Sequence, residues 1–223
     1  MSAAAKVQVP WSEIDTLLLD MDGTLLDLAF DNFFWLELVP REYAKSRGLE
    51  PDAAREEILE RTGAVAGTLP WYCIEHWSAE FGLDIESLKR EHSHRIRFLP
   101  GATDFIAFAR RLGKRLVMVT NAHQVTLSIK CDRTGVGDLM DVVVSSHDYA
   151  IEKERHAFWQ RLSDEQRIEP ERSLLVEDSI AILRTATSFG IRHAIAIRQP
   201  DTTREPRAVE EFTAVDGVAS LIE

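Results

Sequence analysis

Short apolar runs alternate with helix-like segments along most of this chain, and that alternation leaves few folds open. The runs are Thr16–Asp20, Arg115–Thr120, Asp141–Ser145, Ser173–Val176 and His193–Ile197. Each is brief and rich in Val, Leu and Ile, the composition of strands buried on both faces. Between them, Thr103–Leu112 sets Phe105, Ile106, Ala109 and Leu112 at helical spacing and stops at Gly113. Ser179–Phe189 repeats the design and stops at Gly190. The pattern predicts an α/β fold, a Rossmann-like parallel sheet with helices on both faces.

One interval breaks the alternation. From about Leu28 to Pro100 no strand pattern occurs, only helical segments punctuated by Pro40, Pro51, Gly67, Pro70 and Gly82. Pro51 and the acids after it suit a helix start, where a missing N–H costs nothing and the dipole favours negative charge. The expected organisation is an α/β core built from residues 1–27 and 100–223, with a helical insertion of about four helices over residues 28–99. Nine of the chain's eighteen Phe, Trp and Tyr residues fall between Phe30 and Phe81. The insertion therefore has a core of its own, lines a pocket, or both.

Two strand ends carry paired acids. Leu17–Leu19 runs into Asp20 and Asp22, followed by Gly23 and Thr24; Leu174–Val176 runs into Glu177 and Asp178. Open α/β folds place their sites at the carboxyl edge of the sheet. Acids at the end of a core strand are costly unless something positive lies between them. Mg²⁺ suits such oxygen donors, and it needs only one or two carboxylates. A carboxylate can also attack phosphorus. A polar turn or a calcium loop would share the first motif, but the EF-hand pattern continues with a third Asp before the Gly, and this chain does not. Thr120 and Asn121 end another strand, where a hydroxyl and free amides suit phosphate oxygens or, equally, helix capping. Lys153 follows a third strand, placed either to offset phosphate charge or to face solvent.

The net charge is −11, with no Lys/Arg block. Nucleic acid and anionic membranes are poor partners for such a chain. No apolar run approaches a membrane span, and Met1–Pro10 has no apolar leader segment. Cys73 and Cys131 form no metal or redox spacing and are read as inert. A cytoplasmic location is expected. Among the histidines, His123 is kept as a near-site candidate because it follows Thr120 and Asn121; His92, His94, His147 and His156 read as solvated or capping groups.

The order Asp20-Met-Asp22-Gly-Thr, Thr120, Lys153, Glu177-Asp178 resembles the four motifs of the haloacid dehalogenase superfamily phosphatases. The likeness spans nearly the whole chain, and the helical insertion resembles that superfamily's C1-type cap. Leu26–Pro40, Trp71–Ser78 and Thr120–His123 resemble its bacterial GMP/IMP 5′-nucleotidases. The resemblance implies a phosphatase with Asp20 as nucleophile and Asp22 as general acid, then base. It implies Thr120, Asn121 and Lys153 as phosphate binders. It further implies Mg²⁺ held by Asp20, Asp22 and Asp178, with Glu177 beside them. The implied substrate is a purine nucleoside monophosphate, with Asp31, Asn32, Trp35, Trp71 and His76 choosing it. Two positions depart from the pattern. Glu154 follows Lys153 where many relatives have Pro, and Glu177 stands where many have Asp.

Rival readings share the motifs. A phosphatase or phosphomutase for a sugar phosphate differs only in its cap. A dehalogenase needs neither Asp22 nor the second acid pair, and a non-catalytic module would have lost Asp20 or Asp22.

Overall fold

The computed structural model describes residues 7–223; residues 1–6 of the expected core, with most of the stretch read as lacking a leader, lie outside them. Six strands form one parallel sheet: β1 Thr16–Leu19, β2 Arg115–Thr120, β3 Val142–Ser145, β4 Ser173–Glu177, β5 His193–Ile197 and β6 Ala214–Val215, in the order β3-β2-β1-β4-β5-β6. This is the Rossmann-like core that the alternation predicts. The two-residue β6 was missed, because it is too short to carry a periodic signal. It pairs Val215 with Ile197 at the edge of the sheet.

Pairing register aligns the strand ends. Leu19 lies opposite Met118 on one side and Val176 on the other. The chain reverses its direction of travel across the sheet at β1, so a crevice opens above its carboxyl end. Strand alternation divides the core into two layers. Leu17 and Leu19 pack into one cluster together with the insertion, whereas Leu18, Val117, Val119, Phe158 and Trp159 form the other.

All the elements between β1 and β2 are helical. α1 (Ala29–Phe33) passes through a π-helical stretch, Phe34–Leu38, into α2 (Val39–Arg47). Then come α3 (Pro51–Ala64), α4 (Leu69–Tyr72), α5 (Ile74–Phe81) and α6 (Ile85–Glu91). Phe30, Phe34, Leu38, Trp77, Phe81 and Ile85 are buried between them, and Trp77 stacks on Phe81 at 5.1 Å. In the rest of the chain α7 (Ala102–Arg111), α8 (Gln124–Thr134), α9 (Ser146–Tyr149), α10 (His156–Gln166) and α11 (Ile180–Phe189) cover the sheet.

The two crossings between sheet and insertion run side by side. The Leu99 N–H donates to the Leu25 carbonyl and the Asp27 N–H to the Arg97 carbonyl, each at 2.9 Å. Asp27 is buried here. Its carboxylate accepts from the Ala29 N–H, from Arg97 Nε, and from both the N–H and hydroxyl of Thr202. Neighbouring Asp201 accepts from Asn32 Nδ2 at 2.6 Å. A loop at the far end of the chain thus fixes the root of the insertion.

Candidate active site

The first motif leaves β1 through a turn that only glycine suits. Gly23 has φ +80°, and a Cβ there would lie 2.8 Å from Pro200 Cβ and 2.9 Å from Asp178 Cγ. The close approach brings the β1 loop against the acid pair that ends β4. Asp20, Glu177 and Asp178 consequently offer carboxylate oxygens all within 4.8 Å of one another.

Lys153 reaches into this cluster from the loop after β3. Its ammonium is buried and donates to Asp20 Oδ1 at 2.5 Å, to Glu177 Oε2 at 2.7 Å and to the Val119 carbonyl at 2.9 Å. All three of its protons are therefore used. Asn121 holds the loop: its Oδ1 accepts from the Lys153 N–H, and its Nδ2 donates to Glu154 Oε2, both at 3.0 Å. Glu154 also accepts from the Tyr72 hydroxyl at 2.6 Å. The residue that departs from the resemblance thus ties the Lys153 loop to the insertion. The longer arm of Glu177 has a similar consequence. One oxygen takes Lys153 and the other accepts from the Ser179 N–H. The Thr120 hydroxyl accepts from the Ala122 N–H at 3.0 Å, so its proton remains free for a ligand.

Charge in the cluster is unbalanced. Burial, reinforced by Glu177, pushes Asp20 up to about 8 despite Lys153. Burial likewise raises Glu177 to about 7, and burial with Asp20 raises Asp178 to about 6. Burial opposes the charge on Lys153, but Asp20 and Glu177 outweigh it and hold its pKa above the usual lysine range. Three carboxylates gather around one buried ammonium, with the half-exposed Arg207 guanidinium 3.9 Å from Asp178 Oδ2 at the edge, and a hard divalent cation among their oxygens would offset the excess negative charge. The donor set fits Mg²⁺.

Asp22 has a different environment. Its Oδ1 accepts from Lys130 Nζ at 2.6 Å, and the same ammonium donates to Asp31 Oδ2 at 2.6 Å. Lys89 then donates to Asp31 Oδ1 at 3.3 Å. Sequence reasoning gave neither Lys130 nor Lys89 a role; they are 1% and 2% exposed. Burial raises the Asp22 pKa against the pull of Lys130.

A cavity of about 410 Å³ opens above these groups. Asp20, Asp22, Thr120, Asn121, Lys153, Glu177 and Asp178 line its floor, and Asp31, Asn32, Trp35, Trp71, Trp77 and Lys89 line it from the insertion. His76 does not line it. One position along α5, Trp77 turns toward the cavity, while the His76 ring packs edge-on against that indole at 4.6 Å. His123 does not line the cavity either: its side chain caps α8 and its Nε2 pairs with Glu75 Oε2 at 3.0 Å.

Residues 14–190 match the model of the haloacid dehalogenase-like hydrolases. The chain belongs to that family. Its relatives include the GMP/IMP nucleotidase YrfG of Escherichia coli, 37% identical over 97% of each chain. Protein CbbY of Cereibacter sphaeroides is 26% identical over 93% of this chain and 96% of its own. Among solved structures, a phosphatase of the family from Thermococcus onnurineus superposes with a TM-score of 0.78 at 22% identity, covering 93% of this chain and 96% of its own. In this haloacid dehalogenase-like hydrolase the expected signature residues lie along one cavity floor.

Proposed function

We propose that the chain is a Mg²⁺-dependent phosphomonoesterase acting through an aspartyl-phosphate, with purine 5′-mononucleotides such as GMP and IMP as substrates. One observation carries the chemistry: Asp20 sits among Lys153, Glu177 and Asp178 while Asp22, two residues on, has its own partner in Lys130. Two acids of one motif are held in separate environments, as separate roles require.

Asp20 attacks phosphorus in line and expels the 5′-oxygen. Asp22 protonates that oxygen as it leaves, then takes a proton from the water that hydrolyses the acyl-phosphate. Lys153, the Thr120 hydroxyl and the loop amides neutralise the equatorial phosphate oxygens, the central need when an anion attacks an anion. Asp20, Asp178 and the backbone of Asp22, with Glu177 behind them, would hold Mg²⁺, which would supply the remaining positive charge. Residues 28–99 act as the cap, and residues 1–27 with 100–223 as the catalytic core.

The nucleotide part of the reading is supported by the YrfG relationship. It is also supported by the insertion's contribution to the cavity, where Trp35 and Trp71 give a base aromatic rings to pack on. Stacking on such rings contributes roughly 1–3 kcal/mol per base. Asp31, Asn32, Trp35 and Trp71 remain specificity candidates; His76 acts at most through Trp77. A CbbY structure from Rhodobacter sphaeroides, which shares this fold, holds xylulose-(1,5)bisphosphate, and this keeps a sugar phosphate as the second reading.

A phosphate-release screen of nucleotides and sugar phosphates, with and without Mg²⁺, tests the proposal. GMP and IMP should lead, and Asp20→Asn should abolish release. Near wild-type turnover by Asp20→Asn would exclude the covalent route. A sugar phosphate turned over far faster than any nucleotide would replace the nucleotidase reading.

A further inference from the structure

Lys89 is a buried cation with too few partners. It rises from α6, is 2% exposed, and lines the cavity. Its ammonium has three protons to donate. Among the described residues its hydrogen-bond acceptor is Asp31 Oδ1, at a long 3.3 Å. Three aromatic rings surround the rest: Phe34 at 4.2 Å, Phe30 at 5.3 Å and Trp35 at 5.4 Å from Nζ. Rings stabilise the charge but do not accept three hydrogen bonds. Buried donors in native structures are almost always satisfied. Lys153 and Lys130, the other buried lysines lining the cavity, have three and two acceptors, all within 2.9 Å. The contrast points to an acceptor that arrives with the ligand.

The chemistry of that acceptor can be narrowed. The phosphate belongs to the floor with Asp20 and Lys153, so Lys89 meets another part of the molecule. Beside it stands the Asp31 carboxylate, an acceptor. Lys89 Nζ and Asp31 Oδ1 thus present a donor and an acceptor 3.3 Å apart. A 6-oxopurine presents the complement on one edge: a carbonyl oxygen at position 6 and an N–H at position 1. A 6-aminopurine presents the reverse, with an amino donor facing the ammonium and a lone pair facing the carboxylate. Trp35 lines the cavity alongside and offers the ring face.

We propose that Lys89 is a specificity-determining residue that donates to the 6-oxo group of the base, with Asp31 accepting from N1–H. This rests on the nucleotidase reading and adds the atoms that make the choice. A site built to bond a polar group rejects the analogue lacking it, because its own buried group is then left unpaired. Lys130 holds Asp31 from the other side, fixing the carboxylate for the task.

The test compares kcat/KM for IMP, AMP and purine riboside 5′-monophosphate, which carries only hydrogen at position 6. Wild type should prefer IMP to the 6-unsubstituted nucleotide by about 10- to 100-fold. In Lys89→Met, of similar length and volume, that ratio should collapse to within about threefold. Lys89→Gln places an amide that can turn its oxygen to an amino group, so the AMP/IMP ratio should rise. A structural role for Lys89 would lower all three substrates together and keep the ratios, which overturns the proposal. The wild-type comparison needs no variant, so a poorly folding Lys89→Met leaves it decidable: no preference for IMP also overturns it. Turnover of IMP with ratios insensitive to Lys89 removes this inference alone. Absence of turnover on every nucleotide removes it together with the nucleotidase reading.

Discussion

The Lys130 ammonium lies 2.6 Å from Oδ1 of Asp22, although 108 positions separate the two residues. A helix of the core thereby sets the charge and orientation of a carboxylate on the β1 loop. Lys130→Met should leave that carboxylate buried without its partner. We expect kcat to fall by about 10- to 100-fold, the effect of losing a charged hydrogen bond. The apparent pKa assigned to Asp22 should move upward in the pH–rate profile, since Lys130 opposes the effect of burial. An unaltered kcat and profile would show that Asp22 is oriented by other means.

Replacing Asp22 itself separates its two substrates by leaving group. Asp22→Asn removes the proton donor, so release from a nucleotide should slow by roughly two to four orders of magnitude. An activated aryl phosphate departs without protonation at the first step and should lose less. Equal losses on both would sink the general-acid role.

The acid cluster predicts how pH and Mg²⁺ act on stability. Asp20, Glu177 and Asp178 are raised to about 8, 7 and 6 in the folded chain, against roughly 4 when unfolded. Between those values the folded state binds more protons than the unfolded state, so stability falls as pH rises. Without metal, the melting temperature should therefore drop between about pH 5 and about pH 8. Mg²⁺ engages the ionised acids, so its stabilising effect should be larger at the higher pH. Thermal melts in EDTA and in Mg²⁺ at both pH values check this. An equal Mg²⁺ effect at the two would place the cation elsewhere.

Gly23→Ala should damage both fold and site. A left-handed backbone costs about 1–2 kcal/mol for a residue with a side chain, and the added Cβ would meet Pro200 and Asp178 below van der Waals distance. Chemical denaturation should show a loss of at least ~2 kcal/mol. Mg²⁺ should also bind more weakly, because Asp178 has to retreat. Wild-type stability and affinity would mean that the turn relaxes at no cost.

The sheet and its acid pairs were legible because each strand is a local signal: an apolar run, then charge, then a break. Asp20, Glu177 and Thr120 could be placed at strand ends on that basis alone. Lys130 and Lys89 could not. A lysine within a helical segment looks solvated from its neighbours, and their partners are 99 and 58 positions distant at Asp31. Asp27 was hidden for the same reason, since its anchor at Thr202 is 175 positions away. His76 and Trp71 both came from the resemblance over Trp71–Ser78, yet the break between α4 and α5 separates them and gives the cavity to Trp77. β6 was lost to brevity.

The paired crossings at Leu25–Leu99 and Asp27–Arg97 have a consequence for ancestry. The chain departs from the sheet and returns to it at adjacent points, so the helical excursion is a closed detour. Lengthening, shortening or exchanging it would leave the register of β1 against β2 untouched. Inheritance can thus act on the two parts at different tempos: the floor keeps its reaction while the detour is rewritten for a new molecule.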